Sequence, residues 1–293
     1  MLPKFDPKQT KFTIENAYVL MRASQATYSS DYDTYYGRLL ELGITQDCQV
    51  WIQGQFDACF LGWTDDWMIL SFRGTDNPGG WVSNLYGAVP VSRPQDYYGK
   101  IHPGFADGLN SLWNDLHAKL TTDPLKDKPL FITGHSRGGA LATLAAQSLV
   151  YVGIKPVAVY TYGSPRAGNS TFADKYDVPC HYRVENDRDI VPHVPPAPAF
   201  AHVGERHWLN AEGEFEEPTD EETPTSPVVT AALTTFATGA LGRIGTPILG
   251  GVVSQGLLAN EFFSDHANTE YAYWLWKLLA QADHDDAATS HYP

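Results

Sequence analysis

The chain has 293 residues, 43% hydrophobic and 13% aromatic, which is enough apolar material to bury the core of a single domain over residues 1–293. Its formal net charge of −14 repels phosphate backbones and anionic head groups, and this argues against nucleic acid as a partner. The sequence has no apolar run of the roughly 18 residues that a membrane span needs, and its start lacks the pattern of a secretory signal. We therefore expect a globular protein that either does not use that export route or is written without its leader, and its compartment stays open.

Cysteine usage is sparse. Cys48, Cys59 and Cys180 are too few and too scattered for a disulfide framework or a zinc site. Cys48 and Cys59 are close enough to pair across a hairpin, but we predict three ordinary buried thiols.

The predicted elements begin with a helix over residues 14–29, where apolar side chains recur on one face. Helical patterns also cover 104–122 and 138–153, and a last amphipathic helix follows residue 266. Strand-like runs cover 48–54, 58–64, 66–72, 129–134, 156–163, 180–185 and 206–210. Strands that alternate with helices predict an α/β fold, with a mainly parallel sheet covered on both faces.

The stretch FITGHSRGGALATLAA, residues 131–146, places a serine between glycines where a predicted strand passes into a helix. Gly134, Ser136 and Gly138 fit the pattern G-x-S-x-G, in which glycines permit a strained turn that lifts the hydroxyl above the sheet edge. The first N–H groups of the helix then face the place where an oxyanion develops. An ordinary glycine-rich connection is the alternative, but the flanking strand and helix favour Ser136 as a nucleophile.

A nucleophilic serine needs a base and an acid that orients the base, and after such a turn both follow the serine along the chain. Asp187 and Asp189 come just past a strand end, where functional groups of an open parallel sheet collect. Asp187 lies in a polar turn, whereas Asp189 leads into an apolar pair and is expected to be drawn inward. We favour Asp189 and keep Asp187 as the alternative.

Several histidines downstream of Ser136 are candidates for the base. His266 lies on a loop directly before the last helix, from which an imidazole can reach over the serine. His193 is close to the acid in sequence and His207 lies inside a strand pattern, so both are better suited to structural roles. The tail that carries His284 and His291 has the composition of a frayed end, and a metal site there has little support. We predict His266 as the base.

The second oxyanion donor is expected at the end of an earlier strand. The segment WMILSFRGT ends in Gly74 and Thr75. Thr75 offers both a backbone N–H and a hydroxyl, and Gly74 permits close approach of a substrate. Thr75 as the cap of a glycine-rich turn is the alternative. A phosphate-binding loop is excluded because no Gly-Lys-Ser/Thr follows.

Six sequence blocks, in order, resemble the class 3 lipase family, the fungal-type triacylglycerol lipases and their bacterial and plant relatives. They are SFRGT, IHPGF, TGHSRGGALATLAA, YTYGSPRAGN, YRVENDRDIVPHVPP and HVGERHWLN, within about residues 14–280. The resemblance implies an α/β-hydrolase fold and a lipid ester as substrate, met at a lipid–water interface. It implies Ser136 as nucleophile, Asp189 as acid, His266 as base, and Thr75 with the Arg137 backbone N–H as the oxyanion hole.

The chemistry that follows is acyl transfer to water through an acyl-enzyme, for which neither a metal nor an organic cofactor is needed. Phospholipase A1, monoglyceride lipase and feruloyl-type esterase stay open as alternatives. So does an inactive lipid-binding protein, although a chemically competent residue fills every triad position.

The chain departs from the family pattern in two places. Arg137 replaces the leucine usual after the nucleophile, and its guanidinium is expected to alter the polarity near the site and thus the head-group preference. Residues 211–262 form an insertion longer than the fungal pattern requires. Seven acidic residues between 212 and 222 predict a solvated loop, and the apolar stretch after it predicts a helical segment. That segment either packs on the core or forms a flap beside the acyl site.

A candidate lid covers residues 76–92, where the family keeps a short helix. Trp81, Leu85 and Tyr86 would share an apolar stripe, with Gly79 and Gly80 as the hinge. A permanently packed surface helix is the alternative.

Overall fold

The computed structural model describes residues 2–75, 85, 88–92, 99–216 and 264–283. Its helices are α1 (Ile14–Ala26), α2 (Tyr32–Glu41), α3 (Pro103–Leu120), α4 (Arg137–Tyr151), α5 (Ser170–Asp174) and α6 (Asn268–Asp283). Its strands are β1 (Gln49–Gln53), β2 (Ala58–Trp63), β3 (Met68–Phe72), β4 (Val91–Ser92), β5 (Lys100–Ile101), β6 (Leu130–His135), β7 (Ala158–Tyr162), β8 (His181–Asn186), β9 (Glu205–Leu209) and β10 (Phe215–Glu216). None of the helices in these ranges is long and apolar enough to cross a membrane.

Within the described residues, eight strands form one sheet in the order β1-β2-β3-β6-β7-β8-β9-β10. The strands from β3 to β9 in that order pair in parallel, which confirms the predicted mainly parallel sheet. The first three strands are antiparallel because turns of a few residues join them and leave no room for a crossover helix. β10 also runs antiparallel to its neighbour β9, and β4 and β5 form a separate pair.

The sheet separates two apolar cores, as alternating side chains on each strand require. Leu70 and Ile132 point to the core shared with α3 and α4, and their chain neighbours Ile69 and Phe131 point to the core shared with α1 and α6. Helices therefore cover both faces, as the alternation of strands and helices predicted.

Side-chain caps begin most of the longer helices. The side chains of Thr13, Asp31 and His102 accept hydrogen bonds from backbone N–H groups in the first turns of α1, α2 and α3. α4 differs, since Ser136 occupies its N-cap position and its hydroxyl makes no capping bond. The Ser136 hydroxyl is therefore not used to cap the helix.

The cysteine prediction is only partly right. All three cysteines are free, so no hairpin disulfide forms, and Cys59 is buried as predicted. Cys48 and Cys180 are only partly buried, because each lies just outside a strand end rather than within the sheet.

The predicted lid at 76–92 and the predicted insertion at 211–262 lie mostly outside the described residues. In the part that is described, Leu85 is buried and Val89 is 72% exposed. In residues 211–216, a turn with mostly exposed residues leads into β10, which extends the sheet.

Candidate active site

The turn at Ser136 has the strained backbone that its sequence predicts. Ser136 has φ 59° and ψ −132°, a region that L-residues rarely occupy. Its N–H donates to the Tyr162 carbonyl at 2.9 Å, which holds the turn against β7. A Cβ at Gly134 would lie 2.3 Å from the Gly138 carbonyl oxygen, so only glycine lets the strand pass this closely under the helix. The turn thus presents the serine at the carboxyl end of β6.

His266 lies against this turn. Its ring stacks on His135, the residue before the serine, with 4.6 Å between ring centroids. A Cβ at Gly163 would lie 2.9 Å from His266 Nδ1, so this glycine makes room for the imidazole at the end of β7. The loop before α6 therefore brings His266 to the edge of the sheet that carries Ser136.

Two polar atoms at this edge are buried without a partner. Ser136 Oγ and His266 Nε2 have no hydrogen-bond partner among the described residues, including each other. Buried polar groups are almost always paired, and orphaned ones call for an explanation. Hydrogen bonds between catalytic groups are often open without substrate and tighten when it binds. The pair of orphaned atoms is therefore compatible with a proton transfer that the substrate completes.

Asp189 binds the other nitrogen of the same imidazole. His266 Nδ1 lies 2.8 Å from Asp189 Oδ2, and both side chains are almost fully buried. Tyr271 donates its hydroxyl to the same oxygen at 2.6 Å, and the Val191 N–H donates to Oδ1 at 2.8 Å. Because a carboxylate only accepts, the His266 proton resides on Nδ1, and Nε2 is left as an acceptor.

Asp187 is not in this arrangement, although it lies only two residues from Asp189. It has φ 31°, and its carboxylate is 3.9 Å from the Arg188 guanidinium. Two other histidines considered for the base have different surroundings: His207 stacks on Phe12 with 3.7 Å between ring centroids, and His193 lies in a short 3-10 helix. His284 and His291 are outside the described residues.

His135 and two tyrosines complete the site, and the sequence analysis did not identify them. His135 Nε2 lies 2.7 Å from the His266 carbonyl oxygen, and its Nδ1 lies 2.9 Å from the Tyr28 hydroxyl. Since a carbonyl only accepts, His135 donates through Nε2 and accepts from Tyr28. Burial, and secondarily the nearby His266, lowers the pKa of His135 well below its usual value, so this ring stays neutral. His135 is within the serine motif and could have been noticed, whereas Tyr28 and Tyr271 carry no local signal.

The two predicted oxyanion donors flank the same turn. Arg137 is the first residue of α4, where backbone N–H groups have no partner within the helix. Thr75 follows β3, and the preceding Gly74 is packed so tightly on the turn that a Cβ there would lie 2.6 Å from the His135 carbonyl oxygen. The structure thus brings both predicted donor segments to Ser136. The Arg137 guanidinium is not free at the site, because it pairs with Asp57.

A mainly parallel sheet between two layers of helices, with a serine on a strained turn from strand to helix, defines an α/β-hydrolase. Residues 69–199 match the family model described as Lipase (class 3). Through this segment the chain is similar to the class 3 lipases.

The relatives agree with this assignment. A lipase from Rhizomucor miehei is 38% identical over 151 residues, which are 48% of this chain and 41% of that protein. A secreted mono- and diacylglycerol lipase of Fusarium solani is 33% identical over 49% of this chain and 44% of its own length. The Rhizomucor miehei triacylglyceride lipase structure superposes with a TM-score of 0.56 at 26% identity, over 71% of this chain and 87% of that one. The chain thus spans less than half the length of either of these two curated relatives.

Proposed function

We propose that this protein is a serine esterase that hydrolyses carboxylic esters of glycerol lipids, with triacylglycerol as the leading substrate class. One observation carries the proposal: a strained serine with an unpaired hydroxyl lies at the same sheet edge as an imidazole whose Nδ1 is held by a buried carboxylate. Two findings support the ester of a fatty acid as substrate. Residues 69–199 match the class 3 lipase model, and similar proteins are named as lipases of triacylglyceride and of mono- and diacylglycerol.

In the proposed mechanism, His266 Nε2 takes the Ser136 proton as the hydroxyl oxygen attacks the ester carbonyl carbon. Asp189 holds the imidazole in the required tautomer and stabilises the imidazolium that forms. The backbone N–H groups of Thr75 and Arg137 donate to the oxyanion. The tetrahedral intermediate collapses to an acyl-enzyme as the imidazolium gives its proton to the leaving alkoxide.

Water then completes the cycle. His266 takes a proton from the water as its oxygen attacks the acyl carbon, and the second tetrahedral intermediate releases a fatty acid and the Ser136 hydroxyl. Each step uses only side chains and backbone groups of this chain. A lipid–water interface as the place of action stays part of the proposal, since the candidate lid lies outside the described residues.

The test is hydrolysis of p-nitrophenyl esters from short to long acyl chains, beside emulsions of triacylglycerol, diacylglycerol, monoacylglycerol and phospholipid. Wild type should release fatty acid, and Ser136→Ala should lose several orders of magnitude in kcat while it keeps the fold. Ser71→Ala is the matched control, because this serine is equally buried on the neighbouring strand β3. Unchanged turnover by Ser136→Ala would assign the nucleophile elsewhere, and a wild type without turnover would favour a lipid-binding protein. A preference for phospholipid would point to a phospholipase.

A further inference from the structure

Asp57 occupies a position that the triad does not explain. It is the last residue of the turn between β1 and β2, which the Gly54 N–H closes by donating to the Asp57 carbonyl at 2.8 Å. The next residue, Ala58, accepts a hydrogen bond from the Arg73 N–H at 2.9 Å. This hairpin turn thus lies beside the segment 73–75 that carries one proposed oxyanion donor. The Asp57 side chain is only 4% exposed although it is ionisable.

The carboxylate of Asp57 receives both arms of the Arg137 guanidinium. Arg137 Nε donates to Oδ1 at 2.6 Å and Nη2 donates to Oδ2 at 2.8 Å, the bidentate geometry that gives the strongest ion pairs. Nη2 also donates to the Gly104 carbonyl in the first turn of α3 at 2.9 Å. The guanidinium carbon lies 5.5 Å from the centroid of the Phe105 ring. Arg137 is therefore fixed from three sides.

The ion pair is built into the packing of α3. A Cβ at Gly108 would lie 2.5 Å from Asp57 Oδ2 and 2.9 Å from Arg137 Nη2. The helix can approach the hairpin here only because residue 108 has no side chain. The pair thus lies in direct packing contact with α3.

Arg137 is also the residue whose backbone N–H is the proposed oxyanion donor, and the glycines at 138 and 139 that follow it give that peptide little rigidity of their own. An anchored side chain restricts where its Cα and N–H can lie. We propose that Asp57 is a positioning residue of the oxyanion hole: its ion pair with Arg137 ties the donor at the start of α4 to the hairpin that supports the donor segment 73–75. This inference rests on the proposed esterase function.

Oxyanion donors act on charge that develops in the transition state, and small misplacement of such a donor is costly. Asp57→Asn keeps the size of the side chain and removes its charge. We expect it to lower kcat for a soluble ester such as p-nitrophenyl butyrate by about 10- to 100-fold, with KM within about twofold. The rate at which a p-nitrophenyl alkylphosphonate labels Ser136 should fall by a similar factor, since that reaction also develops oxyanion charge.

Glu41→Gln is the matched control. It breaks another ion pair between distant residues, Arg22 Nη2 to Glu41 Oε2 at 2.7 Å, on helices α1 and α2. It should leave kcat and the labelling rate within about twofold. Arg137→Lys is a second variant for the case that Asp57→Asn does not fold. It keeps the positive charge but cannot make the two parallel hydrogen bonds to Asp57, so it should fold and show the reduced kcat.

A double-mutant cycle tests whether Asp57 affects kcat through Arg137. In an Arg137→Leu background, Asp57→Asn should have no further effect on kcat, because the anchor is already gone. The inference is overturned if Asp57→Asn lowers the melting temperature with kcat unchanged, or if it lowers kcat equally in both backgrounds. If wild type neither hydrolyses the ester nor reacts with the phosphonate, the proposed function itself has failed.

Discussion

Glu185, in β8, and Asp189, in the loop after β8, are both buried carboxylates, but different kinds of group contact them. Glu185, inside β8, pairs with guanidinium groups: Arg183 contacts Oε1, and Arg206 Nε lies 2.6 Å from Oε2. We call Arg183, Glu185 and Arg206 the guanidinium cluster. Among the described residues, Asp189, in the loop after β8, is contacted instead by the His266 imidazole, the Tyr271 hydroxyl and the Val191 N–H.

This difference suits Glu185 to a structural role and Asp189 to a role in proton transfer. Burial alone would raise the pKa of Glu185, but the charge of Arg183, with the groups around it, holds that pKa well below its usual value. The carboxylate is thus already compensated by cations. Asp189 has no cationic partner among the described residues that contact it, so its charge is available when His266 takes a proton. Neutral hydrogen bonds keep the acid in place without neutralising it.

The largest expected effect concerns Asp189. Asp189→Asn keeps the shape of the side chain but favours the wrong tautomer of His266, so kcat should fall about ten-thousand-fold with the fold retained. Asp187→Asn is the matched control and should be mild, because it is Asp189, and not Asp187, that lies within hydrogen-bond distance of the His266 imidazole at 2.8 Å. Steady-state turnover of a soluble ester measures both, and the reverse order would show that the acid is Asp187.

Glu185→Gln should break the guanidinium cluster instead. Removal of one partner leaves buried charge unpaired, so the free energy of unfolding should fall by about 3–5 kcal/mol at pH 7. The pKa of Glu185 is lower in the folded state than in the unfolded state. Its contribution to stability is therefore present above the ordinary carboxyl pKa of 4.5 and is lost progressively as pH falls below that value. The difference in the free energy of unfolding between wild type and Glu185→Gln should therefore be smaller at pH 3.5 than at pH 7.

Urea unfolding at pH 7 and pH 3.5 measures this gap. Glu205→Gln is the control and should cost less than about 1 kcal/mol, because the Glu205 carboxylate that pairs with His207 is 65% exposed. An equal loss at both pH values would mean that the charge of Glu185 is not what matters. The kcat of the folded variant should stay within a few-fold of wild type.

Tyr271→Phe tests the hydrogen bonds around Asp189. The change removes a hydroxyl that donates to Asp189 Oδ2 and accepts from the Asn186 N–H at 3.1 Å. We expect a loss of about 1–2 kcal/mol in the free energy of unfolding, because the Asn186 N–H is left buried without its acceptor. The kcat should fall less than in Asp189→Asn, since the bond from Asp189 to His266 remains. Thermal unfolding and turnover measure the two effects, with the more exposed Tyr273→Phe as control; a loss of kcat as large as in Asp189→Asn would contradict this account.

The smallest expected effect is at Asp265, directly before the base. Burial, followed by the charges of Asp187 and Asp189, raises the pKa of Asp265 to about 6. The folded state thus binds this proton more tightly than the unfolded state, and stability decreases as pH rises from about 4 to about 6. Asp265→Asn should remove that decrease and gain about 1 kcal/mol at pH 7.5, after allowance for solvent screening of a half-exposed group. Unfolding free energies at pH 4 and 7.5 provide the check; no gain at pH 7.5 would speak against it.

Most of the secondary structure and the candidate site residues could be predicted from local sequence patterns. Apolar runs and helical periodicity predicted the strands of the main sheet from β1 to β9 and the helices α1, α3 and α4 to within three residues. The glycines around Ser136 predicted its strained turn, because steric exclusion is a local property of the chain. Asp189 and His266 were chosen as candidates because each stands next to a predicted strand end or helix start.

Only the tertiary structure decided which groups surround those residues. Tyr28, in the turn after α1, reaches His135, and Tyr271, in α6 near the other end of the chain, reaches Asp189. Asp57 meets Arg137 across 80 positions of sequence. The antiparallel start of the sheet and the helices α2 and α5 were likewise seen only in the structure. Contacts of this kind depend on strand order, register and helix packing, and none of these leaves a pattern in the residues near either partner.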